Sequence, residues 1–564
     1  CRLPLDQPTA RTLFAAALEG FESADDARGC FCAWSGVVDS FVYEWGDFTA
    51  LDHWIERFER LRERYPCFPD AEAEARAVIG IFTALSYRQP QHPDLPDWTR
   101  RMHRLIEQNE SLRLLAGSRL VPYYVWWSGD LARAASITAL LQPQAERRGA
   151  DPLIGVVWCA IRAMELWMRA DTRGCVTMAE RGLELAERSG VHMWDFMLLA
   201  QATWGQVTAG NLAATDGLLA RTSAVLQPAR LLDACHYHYQ VFTVAMHRGD
   251  VATMYEHAAT ALQLARRAGV PWAQGTVLPA LARALELRGE TAAADTLVAE
   301  ANDLAAAIHS GTIAYTALLA QTEFARARGN RRKMLRALRE FMAVSRIHDF
   351  TTSSLWNSST MAELCVIALE HDIETEFVQR LIRVRRLAPE RPPVHLPNWP
   401  WSLCIVTLGH FEVRRDDKPL RFEGKSQKRP LALLKAIVAL GRREVPEVRL
   451  ADALWPDAEG DAAQQALATT LHRLRRLIGV ETVQRQGGLV GLDPARCWVD
   501  LWACERHMDA VEAAPANSAK PALAALRPAL ALYRGPFLDG DDEAPWALSA
   551  RERLRNRLLR AVTA

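Results

Sequence analysis

The chain has 564 residues, of which 49% are hydrophobic and 24% are charged, a composition typical of a globular protein with about three or four domains. Its formal net charge is zero, which excludes an overall field that would draw the whole protein to nucleic acid or membrane, so any DNA-binding surface must be local. The chain has eleven cysteines and no CxxC pair, so we expect reduced thiols and no zinc ribbon. No apolar run reaches the roughly 18 residues that span a bilayer. We therefore expect a cytoplasmic protein without a membrane partner.

Residues 1–390 are rich in helix-forming Ala, Leu, Arg and Glu and contain a repeat of about forty residues. At this spacing a glycine or its substitute is usually followed by Asp, Asn or Glu, and a helix with small and apolar residues on one side comes next. Glycine tolerates positive φ, and Asp or Asn caps the following helix, so each pair predicts a tight helix–helix turn. The pairs are Gly46-Asp47, Gly129-Asp130, Ala170-Asp171, Gly210-Asn211, Gly249-Asp250, Gly289-Glu290, Gly329-Asn330 and His371-Asp372.

The turns and the helices between them resemble tetratricopeptide (TPR) repeats, in the longer forty-residue form found in bacterial signal-transduction regulators of the MalT class. A degenerate turn near Arg88–Pro90 fills the one interval that is twice as long as the others. The resemblance implies a TPR-like α-solenoid over residues 1–390, whose concave face commonly holds a peptide, a partner domain or a small ligand. An unknown small-molecule or protein effector is therefore expected on the solenoid.

Two clusters in the predicted solenoid contain residue types that bind ligands. The aromatic residues Tyr123, Tyr124, Trp126 and Trp127 either line a ligand groove or pack between helices, and packing is their more common role in such repeats. Cys235, His236 and His238 are types that bind metal, but residues two apart on a helix point about 200° apart. Nothing supplies the remaining ligands, so we predict no metal site.

The character of the chain changes at residues 391–402, a proline-rich linker that includes RPPVHLPNWP. The following short β-prone runs predict a small antiparallel sheet. Helices are then predicted over 427–440, from Pro446 to Trp455 and over 460–479, and a β-hairpin with Gly487-Gly488 at its turn comes after them. Three helices between a small sheet and a hairpin describe a winged helix-turn-helix domain at 403–497. The fold class is thus mainly α: a solenoid, a winged helix with a small β-sheet and wing, and a short helical domain at 498–564.

The helix predicted over 460–479 has two distinct faces. One is apolar, because hydrophobic residues recur at spacings of three and four: Leu467, Leu471, Leu474 and Ile478. The opposite face carries amide, hydroxyl, imidazole and guanidinium groups, from Gln465, Thr469, His472, Arg473 and Arg476. Such groups read base edges and contact phosphates in the major groove. An amphipathic surface helix with arginines at its negative end has the same pattern, so the flanking elements decide between the two interpretations.

Other basic residues occur in the sequence on both sides of this helix. Residues 401–500 hold 16 Lys and Arg against 13 Asp and Glu, so the net positive charge is small and the positions of the charges matter more than their number. Arg485 lies near the tip of the predicted hairpin, where a wing contacts the DNA backbone. Gly424-Lys425-Ser426 looks like the end of a phosphate-binding loop, but Pro419 stands where the motif needs a glycine. Lys425, Lys428 and Arg429 are instead expected to face solvent or a phosphate at the start of the first helix.

The segment LGHFEV…LADALWPD…HRLRRLIG resembles the OmpR-type winged helix of the Streptomyces antibiotic regulatory protein (SARP) class. Its signature pieces here are Leu408–Val413, Leu450–Asp457 and the end of the 460–479 helix. The chain after it, with LYRGPFL at Leu532–Leu538, is similar to the helical bacterial transcriptional activator domain, which is truncated here at 498–564. The domain order, with the solenoid first, resembles that of large regulators that begin with a nucleotide-binding ATPase domain. No phosphate-binding loop occurs in these 564 residues, so such a domain, if it exists, lies upstream of Cys1.

This resemblance implies sequence-specific binding to double-stranded promoter DNA and contact with RNA polymerase. It carries Thr469, His472, Arg473 and Arg476 over as major-groove or phosphate contacts and Arg485 as a wing contact, and the polar-face residue Gln465 joins the DNA-binding set. The loop Pro456–Asp461 is a candidate surface for the polymerase. The acidic run Asp539–Glu543 is interpreted as carboxylates at a helix N-terminus rather than as an activation patch.

We therefore expect a bacterial transcription regulator that receives a signal or a partner through its solenoid, with homo-oligomerisation possible. The alternative is a TPR scaffold, a protein-interaction protein without sequence-specific DNA binding. An enzyme is not expected, since no nucleophile–base pair, metal set or phosphate cradle is recognisable, and no cofactor is predicted.

Overall fold

The computed structural model describes residues 6–147, 149, 151–422, 427–441, 444–513, 519–540 and 544–563. The chain forms two compact units, Cys1–Asn357 and Ser358–Ala564, and each is described by itself. Helices at 358–385, which the sequence assigned to the solenoid, belong by their contacts to the second unit.

In its described residues, the N-terminal unit is a succession of α-helices with one π-helix, Tyr123–Ser128, between the sixth and seventh. The helices are α1 (Gln7–Ser23), α2 (Ala27–Glu44), α3 (Leu51–Arg64), α4 (Ala71–Arg88), α5 (Leu95–Gln108), α6 (Glu110–Pro122), α7 (Leu131–Ala145), α8 (Pro152–Met168), α9 (Thr172–Ser189), α10 (Asp195–Thr208), α11 (Leu212–Ala224), α12 (Leu231–Arg248), α13 (Val251–Ala268), α14 (Pro271–Leu287), α15 (Thr291–Ala307), α16 (Gly311–Ala327) and α17 (Arg331–His348). This confirms the predicted helical solenoid.

Four of the eight predicted turns combine positive φ with a capping bond from the next residue: Gly129-Asp130, Ala170-Asp171, Gly249-Asp250 and Gly329-Asn330. The other four differ, because Asn211 and Glu290 make no capping bond, Gly46 lacks positive φ, and Glu374 rather than Asp372 precedes the helix after His371. Gly249 has φ +73° and ends α12, and the side chain of Asp250 accepts a hydrogen bond from the backbone N–H of Thr253 in α13. Gly329 and Asn330 do the same between α16 and α17. Positive φ costs glycine little, and the carboxylate or amide oxygen satisfies one of the free N–H groups of the next helix. The forty-residue period is therefore a period of helical hairpins.

The solenoid coils far enough for distant repeats to touch. The backbone N–H of Phe48 donates to the carbonyl of Ala268 (2.9 Å). The hydroxyl of Ser310 donates to the carbonyl of Trp127 (2.6 Å), 183 residues away in sequence. These contacts close the unit around an interior lined by helices from several repeats.

A segment without helix, residues 350–357, follows α17 and is called the interior segment here. Its residues from Phe350 to Trp356 are all buried. The hydroxyl groups of Tyr239 and Ser354 are 2.5 Å apart, and the buried guanidinium of Arg283 donates to the carbonyl of Leu355 (3.0 Å). The solenoid interior is thus occupied in part by the chain's own backbone.

The C-terminal unit mixes helices with two small sheets. Its helices are α18 (Ser358–Glu370), α19 (Thr375–Arg385), α20 (Lys428–Leu440), α21 (Glu447–Leu454), α22 (Gly460–Ile478), α23 (Asp500–Glu512), α24 (Ala519–Leu532) and α25 (Pro545–Thr563). Its strands are β1 (Leu403–Val406), β2 (Glu412–Arg415), β3 (Lys418–Pro419), β4 (Glu444–Pro446), β5 (Val483–Gln486), β6 (Leu489–Leu492) and β7 (Cys497–Val499). One sheet has the order β3-β2-β1-β7, with β1 and β7 parallel, and the other has the antiparallel order β4-β6-β5.

One hydrophobic core runs through most of this unit. It includes residues of the first sheet, of α20 to α22, of the β5–β6 hairpin and of α23 to α25. The segments 403–497 and 498–564, predicted as successive domains, therefore share their core. Among the described residues, no helix is both long and apolar enough to cross a membrane.

Candidate nucleic-acid interface

Helix α22 shows the two faces that its sequence predicts. Its apolar residues Leu467, Leu471, Leu474 and Ile478 are all buried against the core, which confirms that face. The five side chains of the opposite face are exposed: Gln465, Thr469, His472, Arg473 and Arg476. A row of exposed amide, hydroxyl and basic groups about three turns long has the length and chemistry for a major groove.

The two exposed arginines of this face, Arg473 and Arg476, have no carboxylate partner among the described residues. Within α22 the one acidic residue is Asp461, three turns away from them in the first turn. Thr469 donates to the carbonyl of Gln465 (3.0 Å), a bond within the helix that leaves its hydroxyl oxygen free to accept. The two guanidinium groups are available to an external anion.

Arg475, which the sequence did not single out, has a structural role. It is half-buried, and its guanidinium donates to the carbonyl of Val483 in β5 (3.1 Å). This bond ties the last turn of α22 to the hairpin that follows. The sequence indicated this role. Arg475 lies two residues after Arg473, and on a helix that spacing turns a side chain away from the face that Arg473 occupies.

The hairpin β5–β6 forms as predicted, with Gly487 and Gly488 both at positive φ at the turn. Arg485 on β5 is exposed, but its guanidinium is engaged by the carboxylate of Glu447, at the start of α21. The two bonds measure 2.6 Å from Nε and 2.9 Å from Nη2. The Arg485 hydrogen bonds lower the pKa of Glu447, and the carboxylate raises the pKa of Arg485. Arg485, which the sequence predicts as a wing contact to DNA, is therefore engaged in an ion pair within the protein.

We expect Glu447→Gln to increase the affinity for duplex DNA about two- to five-fold and to steepen its salt dependence by roughly one unit of slope, because a released guanidinium adds one phosphate contact. Fluorescence anisotropy at several salt concentrations measures both quantities. Glu376→Gln, an exposed site on α19, removes the same charge elsewhere and serves as the control. Unchanged slope in Glu447→Gln would show that Arg485 does not reach DNA.

The other sequence candidates near this face are placed as follows. The loop Pro456–Asp461 is exposed throughout. Lys428 is exposed, whereas Arg429 donates to the carbonyl of Leu454 at the end of α21 (3.1 Å). Gly424, Lys425 and Ser426 lie outside the described residues, as does the end of the acidic run from Asp541 to Glu543.

The side chains of His236 and His238, which with Cys235 are of metal-binding types, have separate partners. His236 accepts a hydrogen bond from the indole N–H of Trp204 (2.8 Å), while His238 faces His257 (3.0 Å between Nδ1 atoms). Cys235 is buried, and burial raises the pKa of its thiol to about 12. Among the described residues, no group of three or more His, Cys, Asp or Glu side chains is arranged to hold a metal ion.

A buried carboxylate joins the first sheet to the helices after it. Asp500, the first residue of α23, is 3% exposed. It accepts the backbone N–H groups of Thr407 (2.8 Å) and Leu408 (2.8 Å), which follow β1, and the hydroxyl of Thr407 (2.7 Å). Burial raises the pKa of Asp500, while these donors oppose that shift. The carbonyl of Thr407 in turn accepts from the backbone N–H of Leu538 (2.7 Å), so the region after 497 is bonded directly to the residues that follow β1.

These helices, α23 to α25, form the region that comparison with protein families recognises. Residues 499–564 match the family model of the bacterial transcriptional activator domain. The match supports the predicted likeness to SARP-type activators in this part of the chain. We refer to residues 499–564 as the activator domain. Its first helix, α23, begins with Asp500, which accepts the hydrogen bonds from the residues that follow β1.

Comparison with solved structures finds a similar helical chain in the crystal structure of a Rap protein complexed with Competence and Sporulation Factor. The two share 8% identity with a TM-score of 0.43, over 63% of this chain and 97% of the other. No curated protein matches the chain.

Proposed function

We propose that the chain is a bacterial transcription regulator. In this proposal α20 to α22 and the β5–β6 hairpin act as an OmpR-type winged helix that binds double-stranded promoter DNA. The activator domain takes part in transcription activation, which its match to the bacterial transcriptional activator domain supports, and the solenoid receives a small-molecule or protein signal. The exposed loop Pro456–Asp461 is the candidate contact for RNA polymerase, and we place the protein in the cytoplasm.

The observation that carries the proposal is the exposed face of α22. Arg473 and Arg476 stand on it without carboxylate partners in the described part of the chain, whereas Arg485 of the neighbouring hairpin is paired with Glu447. Unpaired guanidinium groups on one helix face suit phosphates and guanine edges. Because the apolar face of α22 is buried, the polar side chains of the opposite face are directed to solvent. The β5–β6 hairpin follows α22 in the chain, as the wing follows the recognition helix in winged-helix proteins.

A salt titration of the full chain with mixed-sequence duplex DNA tests the proposal. If about three phosphates are neutralised, affinity falls roughly 40-fold between about 50 and 200 mM salt, because counterions are released on binding. A protein-interaction scaffold would show little binding at any salt concentration, and this outcome would overturn the DNA-binding assignment. Competition with promoter fragments then separates specific from non-specific binding.

A further inference from the structure

The interior of the solenoid contains a cavity of about 70 Å³ between the helices and the interior segment. Tryptophans from four repeats form one wall: Trp126, Trp167, Trp204 and Trp272. Residues Thr352, Ser353 and Ser354 of the interior segment form the other. All of these residues lie within the N-terminal unit.

The tryptophans are arranged as two stacks. The rings of Trp126 and Trp272 have centroids 5.1 Å apart and planes 19° apart, and those of Trp167 and Trp204 have centroids 5.1 Å apart and planes 28° apart. Offset stacking at such distances is the favoured geometry for aromatic rings. A further flat ring in the cavity would find aromatic surfaces already ordered, so little side-chain entropy is lost when it binds.

The opposite wall carries buried hydroxyls without partners. The Oγ1 of Thr352 and the Oγ of Ser353 make no hydrogen bond to any described residue, and the two side chains are 0% and 8% exposed. Buried polar groups are nearly always paired, so two adjacent exceptions on one cavity wall point to a bound partner that supplies the missing bonds. That partner must carry a hydrogen-bonding group.

The cavity is also lined by a neutral imidazole, that of His236. Burial lowers the pKa of His236 to about 4, so the ring is uncharged near pH 7. Its Nε2 accepts from the indole of Trp204, which leaves the ring proton on Nδ1 as a donor. None of the described residues that line the cavity is acidic, a lysine or an arginine, so the cavity offers no charge to balance an ionic ligand.

We infer that this cavity binds a neutral, planar aromatic molecule of one or two rings with a hydrogen-bonding substituent. The volume is several times the roughly 10–15 Å³ that one water needs, so the cavity admits a small molecule and excludes a peptide while the interior segment is in place. The inference deepens the proposed function, since it gives the solenoid's signal a chemical class. The hydroxyls belong to the interior segment, which ends at Asn357 and is followed in the chain by α18.

Calorimetric titration of the full chain with indole tests the inference. We expect saturable binding with a Kd on the order of 0.1–1 mM, in the range for a ligand of so few atoms. Cyclohexanol, which has a hydroxyl but no flat ring, and tetramethylammonium, which is a cation, are expected not to bind. Absence of indole binding up to about 5 mM, or tighter binding of either control compound, overturns the inference.

Two variants locate the bound ring. Thr276→Met extends a longer side chain from α14 into the cavity and should weaken indole at least ten-fold. Thr296→Met is its control, because Thr296 lies on the exposed face of α15 and makes the same bond to its own helix backbone. Thr352→Val keeps the shape but removes a hydroxyl and should weaken binding about five-fold. Indole binding that is unchanged in both Thr276→Met and Thr352→Val places the ligand elsewhere and overturns the assignment.

Salt-dependent DNA binding, measured on the same preparations, separates this inference from the proposed function. Loss of indole binding with DNA binding intact in Thr276→Met supports the cavity assignment. DNA binding without any indole binding by the parent chain removes the cavity proposal alone. Indole binding without any DNA binding removes the winged-helix proposal alone.

Discussion

Replacing Arg473 and Arg476 together with alanine is expected to abolish most of the affinity for duplex DNA. Each guanidinium that makes a bidentate base contact contributes about 1–3 kcal/mol, so the double variant should bind at least roughly thirty-fold more weakly. If the contacts are to phosphates, the slope of log affinity against log salt concentration falls by about two instead. Anisotropy titrations of the full chain at fixed and varied salt concentrations distinguish these cases.

Arg496→Ala is the matched control for this experiment. Arg496 is also exposed, but it pairs with Asp493 and precedes β7 in the first sheet, so it is not on the exposed face of α22. Its loss should leave the affinity almost unchanged. Equal affinities of the parent and the double variant, at the same salt concentration, would mean that the exposed face of α22 is not the DNA-binding face.

Asp500→Ala should destabilise the C-terminal unit by about 3 kcal/mol, because the buried N–H groups of Thr407 and Leu408 lose their acceptor. Asp500→Asn should also be destabilising, since an amide offers only one oxygen to donors that converge on both carboxylate oxygens. Hydrogen exchange should show faster exchange in β1 and α23, with unchanged protection in the solenoid of the same molecule.

Asp452→Ala serves as the reference for Asp500. Asp452 is an exposed carboxylate on α21, and its removal should change the unfolding free energy by less than about 0.5 kcal/mol. Equal exchange rates for Asp500→Ala and the parent chain would contradict the idea that this carboxylate joins the activator domain to β1.

Local pattern was sufficient for much of the architecture. The Gly-Asp and Gly-Asn pairs predict the helix turns because their conformational preferences and capping bonds act over a few residues. Likewise, Leu467 and Leu471 predict the buried face of α22 because helical geometry alone places them on one side. The proline-rich stretch 391–402 has no helix or strand in the structure, as its missing N–H groups predict.

Long-range pairing could not be predicted in this way. Arg485 is 38 residues from Glu447, and Thr407 is 93 residues from Asp500, and nothing in the intervening sequence indicates that they meet. The aromatic residues at 123–127 show the same limit. Packing was the expected role, and Trp126 and Trp127 are indeed buried in stacks, yet Trp126 also lines a cavity.

The amino-acid sequence by itself thus determined the repeat, the turns and the two faces of α22, because these depend on backbone preferences and on a periodicity of a few residues. Only the tertiary structure decided which arginines remain unpaired, that the segments 403–497 and 498–564 share one core, and that the interior segment closes a tryptophan-lined cavity. Each of these depends on side chains that are far apart in sequence and that coiling and packing bring together. Such contacts form only in the folded state, so a local sequence pattern does not indicate them.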